Sequence, residues 1–275
     1  MNYSKVRVAF FSFILLLSVF SCKNEEDHSP CGRPDCSLLR ITHFDNGVEQ
    51  SVVNHTYVVV DGKKLLSQMN WDIPNSSASV VIDNQYDSQA RLTESLTTNT
   101  NAFGTNNSKI VYEYDVTQPE RIIKSTNYGN NNVVGYSLYI YGSVSNNPIR
   151  QDFYNIQDQI VAHKEFEYDA NDNLTRELDF QGSTLNSRTT YSNYTSDGEW
   201  TTKLYQNLSG QGVGERETIR TFENCNLKNS IVREDGIQVS HFENTIENNL
   251  IVTTTSFDVL GNQLSNETTY EYSCD

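Results

Sequence analysis

The chain reads as all-β: an antiparallel meander of repeated β-hairpins forming one strongly curved sheet, either open or closed only in part. Three observations carry this. Tyrosines recur at a nearly constant step, apolar and polar residues alternate with period two around them, and Asn-, Asp- and Gly-rich punctuation separates the alternating runs. The composition agrees, with 16 Tyr and 12 Phe set among abundant Asn, Thr and Ser. Those are residues that suit a pleated, half-buried surface with polar turns.

The repeat is clearest in Glu165–Phe166–Glu167–Tyr168–Asp169–Ala170–Asn171–Asp172–Asn173–Leu174–Thr175–Arg176–Glu177–Leu178–Asp179–Phe180–Gln181–Gly182. Phe166 and Tyr168 alternate with Glu165, Glu167 and Asp169. Leu174, Leu178 and Phe180 alternate with Thr175, Glu177 and Asp179. Period two predicts strands with one dry and one wet face. Between them Ala170–Asn171–Asp172–Asn173 supplies a turn, because Asn and Asp accept left-handed backbone and bond nearby amides. Each unit is therefore a hairpin, followed by a looser link such as Asn130–Asn131–Asn132. The key tyrosines stand at 86, 114, 141, 168 and 194, steps of 28, 27, 27 and 26. Tyr57 opens a first copy. Later copies erode to Thr221–Phe222–Glu223–Asn224 and Phe242–Glu243–Asn244–Thr245, and Tyr270–Glu271–Tyr272 opens a last one. No sustained helical stripe occurs beyond the first twenty or so residues.

Tyr168–Asp169–Ala170–Asn171–Asp172–Asn173–Leu174–Thr175–Arg176, running to Gly182, resembles the YD repeat of Rhs and teneurin-type proteins and the repeat-bearing lipoproteins of Bacteroidetes-type bacteria. In the large relatives such repeats wind a sheet into a hollow shell around a toxin or effector domain. About eight units are too few to enclose a domain, so the resemblance implies a β-repeat architecture and does not extend to toxin delivery. Eight hairpins give roughly 16 strands, about 75 Å across at ~4.8 Å spacing. Open twisted sheets seldom pass about 10 strands without curling, so the aromatic faces should turn inward. Residues 56–275 form this repeat domain, and residues 31–55 are expected to cap its N-terminal edge against strand addition.

Residues 1–21 read as an export signal. Lys5 and Arg7 precede an apolar run from Val8 to Phe20, interrupted by Ser12 and Ser18, and Ser21 is the small residue before the cut. The run is too short to cross a bilayer as a helix, which needs about 20 residues. Cleavage would leave Cys22 as the lipidated first residue. Residues 22–30, with Glu25–Glu26–Asp27, form an acidic tether with nothing to bury. The stretch from Cys22 to Asp27 resembles lipoproteins carried to the outer face of the outer membrane, so the expected location is a lipid-anchored, surface-exposed one. An outer-membrane barrel uses the same alternation, but a lipid anchor would then be redundant.

The formal net charge is −15, and removal of Lys5 and Arg7 with the signal gives −15 − 2 = −17. That argues against nucleic acid and anionic lipid surfaces as partners, since both reward clustered Lys and Arg. Besides Cys22 there are four cysteines, Cys31, Cys36, Cys225 and Cys274, and an even number in an oxidising compartment suggests two disulfides with three possible connectivities. The favoured pairing closes a small loop with Cys31–Cys36 and ties the C-terminal end with Cys225–Cys274.

The motifs for chemistry are thin. His28, His43, His55, His163 and His241 show no metal spacing, and neither metal nor cofactor is expected. His43 and His55, near Asp45 and Glu49, are the one conceivable acid/base cluster. Gly210–Gln211–Gly212–Val213–Gly214 precedes polar β-type sequence instead of the helix that a phosphate cradle needs. Acid pairs such as Glu215 with Glu217, or Glu234 with Asp235, arise from composition alone. Tyr136, Tyr139, Tyr141 and Tyr154, with Trp200 and Tyr205, offer an aromatic platform for sugar rings or protein. The expected function is a non-catalytic surface scaffold for adhesion or ligand capture. A glycan hydrolase with convergent acids, or a carrier of apolar ligands in a half-closed shell, are the alternatives. Oligomeric state is left open.

Overall fold

In the computed structural model of the protein, residues 36–274 are described except 75, 144, 193–199, 208–212, 224–225 and 259. Side chains of 200–207, 213–214 and 223 are likewise outside the described set. The described residues belong to one compact unit, Cys31–Asp275. The strands are β1 (Cys36–Asp45), β2 (Val48–Val60), β3 (Lys63–Asp72), β4 (Ser79–Tyr86), β5 (Leu92–Asn101) and β6 (Gly104–Tyr114). There follow β7 (Ile122–Gly129), β8 (Asn132–Tyr141), β9 (Pro148–Tyr154), β10 (Ile160–Tyr168), β11 (Leu174–Gln181) and β12 (Thr184–Ser192). The last six are β13 (Trp200–Asn207), β14 (Val213–Glu223), β15 (Asn226–Glu234), β16 (Ile237–Glu247), β17 (Leu250–Phe257) and β18 (Gln263–Cys274).

Every strand pairs antiparallel with the next, and β18 pairs antiparallel with β1 from Cys36↔Cys274 to Asp45↔Asn266. The meander thus returns to its start, and none of the described strands is a free edge. Closure, expected from the sequence to be at most partial, is complete, and the described residues form 18 strands where roughly 16 were expected. The difference lies at the N-terminus. Over residues 36–55 the expected cap is instead β1 and most of β2, which occupy the seam of the sheet itself.

Two kinds of turn recur among the described residues, and each follows from its residues. Asn46–Gly47, Asp61–Gly62, Asn130–Asn131, Asp235–Gly236 and Asn248–Asn249 all have positive φ at both positions, the two-residue turn whose twist matches a hairpin. The loose link expected at Asn130–Asn132 is one of these tight turns between β7 and β8. The second kind explains the Tyr-Asp signature. In Tyr168–Leu174 the Asp169 N–H donates to the Asn173 carbonyl at 2.9 Å. The Asp169 carboxylate accepts the N–H groups of Asn171 and Asn173 at 2.8 and 2.9 Å, and Asp172 takes the left-handed conformation at φ 62°. Asp87, Asn155 and Asp258 repeat this arrangement.

These bonds, led by the Asn173 side chain, hold the Asp169 carboxyl below the usual aspartate range. Its contribution is therefore complete above the unfolded aspartate pKa and is lost as pH falls through the lower folded one. Asp169→Ala should lower the melting temperature at neutral pH. The gap to the unsubstituted protein should close in acid, and a gap independent of pH would refute the role.

A tyrosine in each of six even-numbered strands acts as a latch. The hydroxyls of Tyr57, Tyr86, Tyr114, Tyr141, Tyr168 and Tyr272 donate to the carbonyls of Leu38, Leu66, Leu92, Ile122, Pro148 and Ile251 at 2.8–3.0 Å. Each bond joins an even strand to the start of the preceding odd one. Arg91 and Arg121 lie over the rings of Tyr114 and Tyr141, at 4.6 and 4.8 Å, adding a cation–π contact. Phe222, opposite Leu227, takes the tyrosine place in β14. The copy expected at Phe242 is out of register, because Ile246, opposite Ile251, holds that place in β16.

Register assigns the faces. Tyr112, Ser125, Ser137, Tyr139, Gln151, Lys164, Phe166, Glu177 and Thr189 point to one side. The other side carries ion pairs between neighbouring positions. They include Arg40–Glu49 at 3.5 Å, Lys109–Glu94 at 3.3 Å, Lys124–Glu113 at 3.2 Å and Arg233–Glu217 at 3.2 Å. Burial assigns the first side as the concave one: Ser51, Val53, Ser95, Ser125, Ser137, Ser230 and Val232 are buried there, against Thr42, Val52 and Asp152 on the other face. Convergence of side chains crowds the inner wall, and the charged face meets water.

Among the described residues the wall surrounds no packed core. The buried hydrophobics among them are Val52, Val53 and Val232, and the largest fully buried side chain is Ser137. Eighteen strands at ~4.8 Å give a perimeter of about 86 Å, a ring too wide for opposed side chains to fill. Small hydroxyls are buried instead of aliphatics because neighbouring tyrosines lie against them. Ser125, for example, is 4% exposed and contacts the Tyr139 hydroxyl at 3.3 Å.

Candidate binding surface

The aromatic platform expected from the sequence is divided between the two faces. Tyr136 and Tyr154 stack on the outside with ring centres 4.7 Å apart and planes 5° from parallel. The Tyr136 hydroxyl donates to Asp158 at 3.0 Å. Tyr139 and Tyr141 lie on the inner wall. Trp200 and Tyr205 occupy opposite-parity positions of β13, and their side chains lie outside the described residues. Six residues proposed as one surface are therefore at least two.

The inner wall holds the richer set. On β6, β8 and β10, Tyr112, Tyr139 and Phe166 stand one pleat in from the latch tyrosines Tyr114, Tyr141 and Tyr168. Burial raises the Tyr112 phenol above its ordinary value, with the nearby Tyr139 adding to it. Burial likewise pushes Tyr114, Tyr141 and Tyr168 up to about 12. All are neutral donors near pH 7. Gln151 donates its side-chain N–H to the Tyr139 oxygen at 3.1 Å.

A charged cluster interrupts this neutral wall between β10 and β14. Lys164 Nζ donates to Glu177 Oε1 at 2.6 Å, and the Tyr191 hydroxyl donates to Glu177 Oε2 at 3.3 Å. Asp179 lies directly opposite Lys164. Arg220, two strands from Tyr191, has its pKa lowered by burial.

The sequence placed Glu177 and Asp179 on the wet face, with Leu178 and Phe180 dry. The structure reverses them. A bulge at Thr175 keeps Leu174 opposite Tyr168 but brings Glu177 opposite Phe166. One unpaired residue exchanges the faces of everything beyond it. Phe180 consequently stacks on His163 outside, at 4.3 Å. Lys164 was legible in principle, since it shares the parity of Phe166 and Tyr168.

The remaining candidates disperse. His43 contacts the Thr268 hydroxyl at 2.8 Å, whereas Glu49 faces outward onto Arg40. Burial lowers both His43 and His55 below the ordinary histidine pKa, and Asp45 and Glu49 bond instead to Asn46, Ser265 and Arg40. Cys36 is bonded to Cys274, with Cα atoms 4.0 Å apart. Neither favoured pairing, Cys31–Cys36 or Cys225–Cys274, is present. Cys36 and Cys274 stand opposite each other in the seam register, a proximity that only closure creates. Cys22, Cys31 and Cys225 lie outside the described residues.

No family model and no curated protein matches the sequence. Among solved structures, the chain is similar to a porin-like protein from Bacteroides uniformis, at 9% identity and a TM-score of 0.47, over 86% of this chain and 98% of that one. It is also similar to the Photorhabdus luminescens Tc holotoxin pore, at 10% identity and a TM-score of 0.34, over 84% of this chain. There it spans only 17% of the other chain's length.

Proposed function

We propose that the protein is a lipid-anchored, surface-exposed binding shell without catalytic activity, which takes a ligand against its inner wall. The observation that supports this most is the closed ring of strands around a wall of tyrosines, hydroxyls and amides, with no packed core behind it among the described residues. Such a wall combines aromatic faces with directed hydrogen-bonding groups, the chemistry of capture. The half-closed carrier of apolar ligands fits less well, because Lys164, Glu177, Asp179 and Gln151 on that wall would be stripped of water by a greasy occupant. The outer ion pairs favour a tethered shell over a membrane-spanning barrel, since a Lys or Arg facing lipid at the bilayer midplane costs about 2–4 kcal/mol.

The anchor rests on Lys5 to Cys22, and two measurements test it. Cys22→Ser should abolish incorporation of labelled fatty acid and release the protein from the membrane fraction. Protease added to intact cells should degrade the unsubstituted protein. Unchanged membrane attachment would refute the anchor, and full protection from protease would refute display on the outer face.

A further inference from the structure

Register aligns one polar row across five adjacent strands of the inner wall. Tyr139 on β8 lies opposite Gln151 on β9, Gln151 opposite Lys164 on β10, Lys164 opposite Asp179 on β11, and Asp179 opposite Ser187 on β12. Phenol, amide, ammonium, carboxylate and hydroxyl thus follow one another over about 19 Å, four steps of ~4.8 Å. One pleat to one side stands Phe153, opposite Ala162 and Ser137. One pleat to the other stands Phe166, opposite Glu177. We propose that this row, flanked by Phe153 and Phe166, is a binding rail for an extended, uncharged saccharide.

Chemistry selects the ligand class. The ammonium of Lys164 is already matched by Glu177 at 2.6 Å and faces Asp179. On β10 and β11 an anionic ligand would therefore meet two carboxylates for one cation, and a cationic ligand would displace Lys164 from its partner. An apolar ligand would bury all five groups without replacing their hydrogen bonds. A sugar chain satisfies both kinds of surface, because each ring presents polar hydroxyl edges and an apolar face for aromatic contact. The row runs along the hydrogen-bonding direction, perpendicular to the strands, so the chain would lie around the ring and cross successive strands.

This proposal rests on the binding-shell reading and is tested apart from it. Detergent-solubilised mature protein is titrated calorimetrically with unbranched neutral hexose oligosaccharides of increasing length. Affinity should rise with length and level off once the rail is covered. Gln151→Ala and Tyr139→Phe should each weaken binding about tenfold, the scale of one lost hydrogen bond of about 1.4 kcal/mol. Lys164→Arg should retain most of it, and Tyr154→Ala on the outer face should leave it unchanged. In the unsubstituted protein, saturating oligosaccharide should also protect Lys164 from acetylation, a readout that needs no folded variant. Loss of binding in Tyr154→Ala alone would overturn the rail and keep the binding shell. Absence of binding by every oligosaccharide would overturn the rail, while failure of the anchor and protease measurements would strike the surface reading itself.

Discussion

Replacing Cys36 and Cys274 together by serine should lower stability by about 5 kcal/mol in the chain-entropy account of a disulfide that closes so long a loop. The bond joins residues 238 apart in sequence, so it removes from the unfolded chain nearly all the freedom that a single crosslink can. The nine paired positions between β1 and β18 stay available in the variant, which should still fold but unfold at markedly lower urea. Urea midpoints in the presence and absence of reductant check this. Reductant should lower the midpoint of the unsubstituted protein and barely move that of the variant. Equal midpoints for the two proteins without reductant would show that the bond contributes nothing to the seam. Peptide mapping distinguishes the result from the other connectivities, because a Cys36–Cys274 crosslinked peptide is expected.

At the alkaline end the protein should unfold in one step as pH rises from about 10 towards 12. Tyr114, Tyr141 and Tyr168 ionise at about 12 when folded, against 10.0 for an ordinary tyrosine, and burial is the main cause of each rise. The unfolded chain gives up these protons first. Stability is therefore complete below the ordinary tyrosine pKa and falls as pH climbs through the folded value. The proton lost is the one each latch donates to the Leu92, Ile122 or Pro148 carbonyl, so ionisation also removes the donor. Phenolate absorbance and the β-sheet circular dichroism signal should change together. Tyr114→Phe, Tyr141→Phe and Tyr168→Phe combined should weaken this alkaline transition while lowering stability at neutral pH by about 1 kcal/mol for each lost bond. Phenolate absorbance that is complete before the β signal changes would exclude the latches as the cause.

The strands, their antiparallel order and the turn chemistry were legible because they are local. Tyr168, Asp169 and Asp172 act within seven residues, and period two needs no distant partner. Full closure was not legible, because it depends on Cys36 meeting Cys274 across the whole chain, and residues 31–55 carry no tyrosine to mark them as strands. The candidate site was legible in its chemistry and misplaced in its geometry. Tyr136 and Tyr139 differ by an odd number and had to face opposite ways, a conclusion that strand parity alone allows. Glu177 could not be placed in that manner, since the bulge at Thr175 has no signature in the residues around it. Bulges recur in most of the hairpins, so sidedness cannot be carried from one strand to the next by counting.

The seam between β1 and β18 constrains how such a protein changes over evolutionary time. An antiparallel circle admits only even strand numbers, so loss or gain of a lone strand would force a parallel, mismatched junction. Duplication of a whole Tyr-Asp module inserts two strands and preserves the junction. Each event would widen the circumference by about 10 Å, making girth a stepwise heritable trait, set by module count and not by gradual substitution.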